Sequence, residues 1–302
     1  MARKPNKFIN NLKLQHNMKQ YSQAPLPFMG QKRFWNNQFK QVIRDSFSDC
    51  NTFVDLFGGS GLLSHFTHTV HPDARVVYND YDGYVERIRH IDETNAILCR
   101  LRDVLADYPK GKRIEGSKRA EVVEVLRQAE QTYETVDYIS LSNSLLFACR
   151  YCTSFDEMED DTMYNRIRSE NFNADGYLEG LTVAHQDYRS LFNQYKGVDG
   201  VCFLVDPPYL STQSKTYTGC WKLHDYLDVL EVLRGTNYVY FTSNKSDLIE
   251  LCEWIGSSVS PDANPLCGAS MVRRHSQLNY AAQYTDIMMY NHSDRWERRI
   301  AA

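Results

Sequence analysis

With 302 residues, 42% of them hydrophobic, the chain can bury a full core, and it contains no run of about 18 apolar residues of the kind a membrane span requires. The basic start Met1-Ala2-Arg3-Lys4 leads into polar sequence rather than an apolar leader, so a cytoplasmic address without a membrane partner is expected. A formal charge of −4 excludes a global electrostatic pull towards a polyanion and leaves any such contact to local basic clusters.

The first twenty residues are polar and aperiodic and read as an arm, with order expected from near Pro25. Phe34, Trp35, Phe39, Val42, Ile43 and Phe47 recur at helical spacing. Thr52 to Phe57 is then a short apolar run stopped by Gly58-Gly59-Ser60-Gly61, after which Leu62, Leu63 and Phe66 resume the helical period. Arg75 to Tyr78 is a second short run, ending in Asn79-Asp80 before a helical stretch with Tyr84, Val85, Ile88 and Ile91. Alternation of buried strands with helices predicts a mostly parallel α/β sheet covered on both faces.

Residues 93–180 break the alternation. Ala120 to Leu126 and Ile139 to Phe147 read as helices, Asp156 to Asp161 as an acidic solvated loop, and Tyr164 to Tyr177 as a polar loop. This stretch is read as an inserted, mainly helical subdomain, with 1–92 and 181–302 forming the main α/β domain. The sheet resumes with Leu181 to Ala184, Val201 to Val205 and Tyr238 to Thr242, with Leu227, Leu230 and Leu233 marking a helix between the last two. Ser270 to Arg273 and Tyr284 to Tyr290 are suited to an antiparallel pair at its end. The eight cysteines are scattered, and only Cys149 and Cys152 stand at Cys-x-x-Cys spacing, so reduced thiols and no metal are expected. Basic residues gather in two places, at Arg3, Lys4, Lys7, Lys13, Lys19, Lys32 and Arg33, and at Arg273, Arg274, His275, Arg295, Arg298 and Arg299.

Ligands of an open parallel sheet bind at the carboxyl ends of its strands. After the first strand the glycines let backbone pass close to a ligand, although a plain strand-to-helix turn uses glycine in the same way. The Gly-x-Gly-x-x-Gly spacing of dinucleotide sites is absent, because Ser64 stands where the last glycine would be, and an adenosine ligand without a pyrophosphate fits better. After the second strand, Asp80 can either hold two ribose hydroxyls or cap the next helix. After the fourth stands Asp206-Pro207-Pro208-Tyr209. Its two prolines remove two amide donors and stiffen the turn, leaving the Asp206 carboxylate and the Pro207 carbonyl as rigid acceptors for both hydrogens of an exocyclic amine, with Tyr209 as a stacking face.

These residues resemble the Dam-type adenine DNA methyltransferases over most of the chain outside 93–180. The family's Phe-x-Gly-x-Gly turn is matched by Phe57, Gly59 and Gly61, its catalytic Asp-Pro-Pro-Tyr by Asp206 to Tyr209, and its aromatic, glycine and lysine segment by Phe28, Gly30 and Lys32. Leu56 stands where the family commonly has proline and Gln31 where it has a second glycine. The resemblance implies a Rossmann-like methyltransferase sheet, S-adenosylmethionine as cofactor, no metal, and methylation of the N6 amine of adenine in DNA after base flipping. It implies that Phe28, Gly30 and Lys32 lie beside the cofactor and target base, that Asp80 holds the ribose, and that Asp187-Tyr188 receives the cofactor's adenine. It also places Asp55 at the methionine ammonium and Asp206 between cofactor and target. Arg150, Arg273, Arg274 and Asn244 resemble nucleic-acid contacts of the family, with Ser276 near them. Methylation of RNA or of the cytosine amine uses the same acceptor geometry, a catalytically silent nucleic-acid-binding module would retain the fold, and the target sequence, a companion restriction nuclease and the oligomeric state stay open.

Overall fold

Where apolar residues run without interruption, the chain lays down strands buried on both faces. The computed structural model describes residues 19–147, 150–208, 221–244, 246–279 and 282–292, with the side chains of 262, 276–279 and 282–284 left aside. The strands are β1 (Thr52–Asp55), β2 (Arg75–Asn79), β3 (Thr182–Ala184), β4 (Val201–Val205), β5 (Asn237–Ser243), β6 (Ser270–Asn279) and β7 (Ala282–Asn291). They form one sheet in the order β3-β2-β1-β4-β5-β7-β6. The pairings among β1 to β5 are parallel, while β7 runs antiparallel to both β5 and β6. The strand order reverses between β1 and β4, where a crevice opens at the carboxyl ends. This is a Rossmann-like sheet, mostly parallel with an antiparallel strand near its end.

Helices α1 (Asn36–Ser46) and α2 (Leu62–Val70) cover one face, where Phe39, Ile43 and Phe66 meet Phe53, Val239 and Phe241. The opposite face carries α8 (Tyr188–Tyr195), α9 (Leu223–Leu233) and α10 (Leu248–Ser258), packed on Val54, Phe203, Val205 and Tyr240. The sequence gives little sign of α10, because its buried residues are only Leu248 and Cys252 while Trp254 lies 59% exposed.

Between β2 and β3 come α3 (Tyr84–Arg89), α4 (Ile91–Val104), α5 (Gly116–Thr132), α6 (Tyr138–Leu145) and α7 (Phe155–Asp160). The boundary expected at 92/93 falls inside α4. Val122, Leu126, Leu141 and Met158 share one apolar cluster with Phe39 and Phe66. The acidic stretch expected to be a loop is the short helix α7. Ser154 caps it by accepting from the Glu157 amide at 3.3 Å, Glu157 reaches back to the Thr153 amide at 2.9 Å, and the Arg127 guanidinium pairs with Glu159 at 2.9 Å. Capping and a cation thus offset the crowding of carboxylates. No helix among the described residues is long and apolar enough to cross a membrane.

Phe39 is fully buried, with the rings of Phe66 and Phe241 at centroid distances of 6.3 and 6.1 Å. Phe39→Ala is expected to cost about 3–5 kcal/mol of stability, read from denaturant unfolding with an unchanged m-value.

Candidate functional site

The crevice holds a cavity built from four segments. The first is 24–32, which hangs across the ends of the strands and is pinned from below. The Tyr84 hydroxyl accepts from the Leu26 amide at 2.9 Å and donates to the Leu26 carbonyl at 3.1 Å, and the Arg87 guanidinium donates to the Pro27 carbonyl at 2.8 Å. Phe28 stands edge-on to Tyr84 at 5.8 Å, and Phe28, Gly30 and Lys32 line the cavity.

The second segment is the glycine turn after β1. Gly59 and Gly61 have φ of +48° and +72°, in the left-handed region where a side chain is strained. A Cβ on Gly58 would stand 2.3 Å from the Tyr78 ring, and one on Gly59 would stand 2.9 Å from the Phe28 ring. The turn is therefore a bare backbone cradle; Phe57 and Gly59 are on the cavity wall, while Gly61 opens α2 behind it. Asp55, on the last residue of β1, is fully buried below the turn. Its Oδ2 accepts from the Ser64 hydroxyl at 2.8 Å, while its Oδ1 has no hydrogen-bond partner among the described residues. Burial pushes its carboxyl up to about 7 and the Asp206 charge adds to the rise, against opposing hydrogen bonds from the Ser64 hydroxyl and from the Phe57 and Ser64 backbone.

The third segment follows β2 and β3. The Asn79 side chain donates to the Leu56 carbonyl at 3.0 Å and the Gln186 carbonyl at 2.9 Å and accepts from the Gln186 amide at 3.1 Å, tying together the ends of three strands. Asp80 takes the capping role. Its carboxylate accepts from the Tyr84 amide at 2.6 Å, the Val85 amide at 3.0 Å and the Tyr78 hydroxyl at 3.0 Å, and it is buried away from the cavity. The acid on the wall is Asp82, two residues on and beside Tyr81. Asp187 and Tyr188 do line the cavity, with Asp187 capping α8 through the Arg189 amide at 2.8 Å. Tyr188 stacks on Trp221 at 5.8 Å and meets Phe57 at 4.7 Å, forming an aromatic corner.

The fourth segment is Asp206-Pro207-Pro208, leaving β4. The Lys32 ammonium donates to Asp206 Oδ2 at 2.6 Å and to the Gly30 carbonyl at 3.0 Å, while lying 5.5 Å from the centre of the Phe241 ring. Burial raises the Asp206 pKa and the Lys32 cation opposes that rise. Asp206 and Pro208 line the cavity while Pro207 is buried beside them. Tyr209 lies outside the described residues.

The nucleic-acid candidates do not sit on this wall. Arg150 is exposed and paired with Asp161. The Asn244 side-chain carbonyl accepts from the Thr285 amide at 2.7 Å, which holds it against β7. Arg273 and Arg274 are consecutive on β6 and so face opposite sides of the sheet, Arg273 with Met271 on the α10 side and Arg274 with Val272 on the α1 side. The side chain of Ser276 and residues 1–18, 149 and 293–302 lie outside the described residues. Trp221 and Arg189 are wall residues with no local sequence signal, and Asp82 was legible as a second acid ahead of a helix. The one metal-type cluster among the described residues, Asp49, Cys50 and His292, has its ligand atoms within 4.8 Å of one another at the opposite end of the strands.

No family model matches the chain. It is similar to a protein of Haemophilus influenzae (strain ATCC 51907 / DSM 11121 / KW20 / Rd) named "Putative methyltransferase", with 34% identity over 288 residues that cover 91% of this chain and 94% of that protein.

Asp55 yields a pH test. With its value raised to about 7, the folded protein holds a proton that the unfolded chain releases around pH 4, so stability falls as pH rises across that interval and levels off above it. Asp55→Asn should gain on the wild type by a margin that widens from pH 4 to 7 in urea unfolding; a constant margin would contradict the assignment.

Proposed function

The chain belongs to the same methyltransferase family as the Haemophilus influenzae protein, and from that premise we propose that it moves the methyl group of S-adenosylmethionine to the N6 amine of adenine in DNA. The observation that carries the reading is the Asp206 carboxylate, fixed on a proline-stiffened turn by Lys32 at 2.6 Å and facing the cavity that the bare Gly58-Gly59 backbone shapes.

The residues present fit the cofactor. Asp55, buried beneath the glycine turn and not itself on the cavity wall, is the carboxylate whose ionisation an ammonium group seated above that turn would offset. The aromatic corner of Phe57, Tyr188 and Trp221 offers flat faces to an adenine, and Asp187 can accept from its amine. Asp82 is the carboxylate that reaches the ribose hydroxyls, on a segment whose course Asp80 fixes by capping α3. When bound, the sulfonium supplies an electrophilic methyl carbon.

The chain's own part is orientation and charge placement. Adenine must leave the duplex, and Tyr209 and Phe28 give it aromatic surface. Its amine donates one hydrogen to Asp206 and one to the Pro207 carbonyl, which raises electron density on N6 and aims its lone pair. Lys32 favours the charged form of Asp206 against its burial and orients it before transfer. Burial then makes that carboxylate a ready acceptor for the proton that the methylated nitrogen sheds.

Asp206→Ala should reduce transfer from labelled S-adenosylmethionine to unmethylated duplex DNA by at least about 10²-fold. Cofactor affinity measured by calorimetry should fall far less than transfer, because the glycine turn and the aromatic corner remain in place although Lys32 loses its partner; equal loss of both would remove Asp206 from the target side. Asp82→Ala should weaken cofactor binding roughly tenfold, an effect of about 1.4 kcal/mol. Asp80→Ala acts first on the α3 cap, lowering stability by about 0.5–2 kcal/mol. Loss of cofactor binding in Asp80→Ala alone, at unchanged stability, would return the ribose to Asp80.

A further inference from the structure

Immediately after Lys32 the chain turns into a second, open cleft lined by Ser22, Gln23, Arg33, Phe34, Asn37 and Arg274. Phe34 is 57% exposed, and a single exposed ring needs no explanation by itself. Its neighbours do. The Arg33 guanidinium lies 4.7 Å and the Arg274 guanidinium 5.5 Å from the centre of that ring, so the two cations stand no more than about 10 Å apart. Six other arginines, Arg89, Arg113, Arg127, Arg150, Arg189 and Arg234, are each paired with a carboxylate, while others such as Arg102 and Arg119 are held by carbonyl oxygens. Neither Arg33 nor Arg274 has a carboxylate partner among the described residues, and the lining named above contains no acid. Two like charges on one ring, in an otherwise acidic protein, leave an electrostatic demand that an anion would meet.

The cleft adjoins the reacting centre through two connections. Arg33 follows the lysine that holds Asp206, and Arg274 stands across the β6–β7 ladder from Asp286, whose charge is felt at Asp206.

We propose that this cleft seats the DNA strand flanking the target base, Arg33 and Arg274 binding its phosphates and Phe34 packing against a base or sugar beside the gap left by the flipped nucleotide. The assignment rests on the DNA reading above and names the surface that delivers that substrate. Guanidinium forks suit phosphate oxygens, Gln23 and Asn37 add neutral donors, and an exposed aromatic ring gives an unstacked base a partner.

The test uses the full chain and a short fluorescent duplex, with affinity followed by anisotropy from about 50 to 200 mM salt. Arg33→Gln and Arg274→Gln should each weaken binding roughly tenfold and lower the slope of log K against log salt by about 1, while Arg33→Lys keeps the slope. Phe34→Ala should weaken binding roughly tenfold with the slope unchanged, since it removes stacking and no charge. Thermal midpoints and cofactor affinity should match wild type in all four variants. If the wild type binds the duplex and the variants bind it with the same affinity and slope, the cleft assignment falls and the DNA reading stands. If the wild type binds cofactor but shows no salt-dependent affinity for the duplex, both fall together.

Discussion

The ion pair between Lys32 and Asp206 joins two parts of the chain 174 residues apart, and the site takes its shape from it. Both partners are mostly removed from water, at 8% and 16% exposure, so each carries a desolvation penalty that the other offsets, with the Gly30 carbonyl adding to the hold on Lys32. Losing either one alone leaves a charge stranded in a poor solvent for it. The pair therefore holds the 24–32 segment against the end of β4, and with it Phe28 and Gly30 on the cavity wall. Tyr84, Arg87 and Phe28 extend the same constraint downwards to α3, so the roof of the cavity and the first helix after β2 are one mechanical unit. Asp80, which caps α3, belongs to that unit.

A second arrangement of charge follows from the first. The Asp206 charge raises the cost of ionising Asp55, and among the described residues only Asp206 has a cation from the chain itself. Asp206 has Lys32. Asp55 has a serine hydroxyl and backbone amides but no cation among the described residues, an asymmetry that suits a site whose second cation arrives with the ligand. Outside the cavity the asymmetry reverses. Arg33 and Arg274 share an aromatic ring, and neither forms an ion pair among the described residues, although Asp286 stands opposite Arg274 on β7.

Much of this was readable before any coordinates, for identifiable reasons. β1, β2 and β4 are short apolar runs punctuated by glycine or by Asp-Pro-Pro, and both signals are local. The antiparallel pairing of β6 and β7 at the end of the sheet followed from two neighbouring strand patterns. What escaped depended on distance or on balance. Trp221 meets Tyr188 across 33 residues, and nothing near Trp221 announces it. The stretch 156–161 looks too acidic for a helix until Ser154, Arg119 and Arg127 are placed around it, and α10 buries too little apolar surface to show a clear stripe. For Asp80 the sequence offered two roles of equal merit, and of these the structure shows the cap, the carboxylate accepting from the Tyr84 and Val85 amides of α3. The consecutive arginines 273 and 274 looked like one basic patch, yet strand alternation sends them to opposite faces.

The central claim is chemical: a carboxylate and a carbonyl on one rigid turn present an adenine amine to a methyl donor. It is tested most directly by incubating unmethylated DNA with the protein and S-adenosylmethionine carrying a deuterated methyl group, digesting to nucleosides and weighing each by mass spectrometry. The account predicts the heavy methyl on N6 of deoxyadenosine and nowhere else. Label on cytosine, on RNA in preference to DNA, or on no nucleoside while the cofactor is bound, would contradict it.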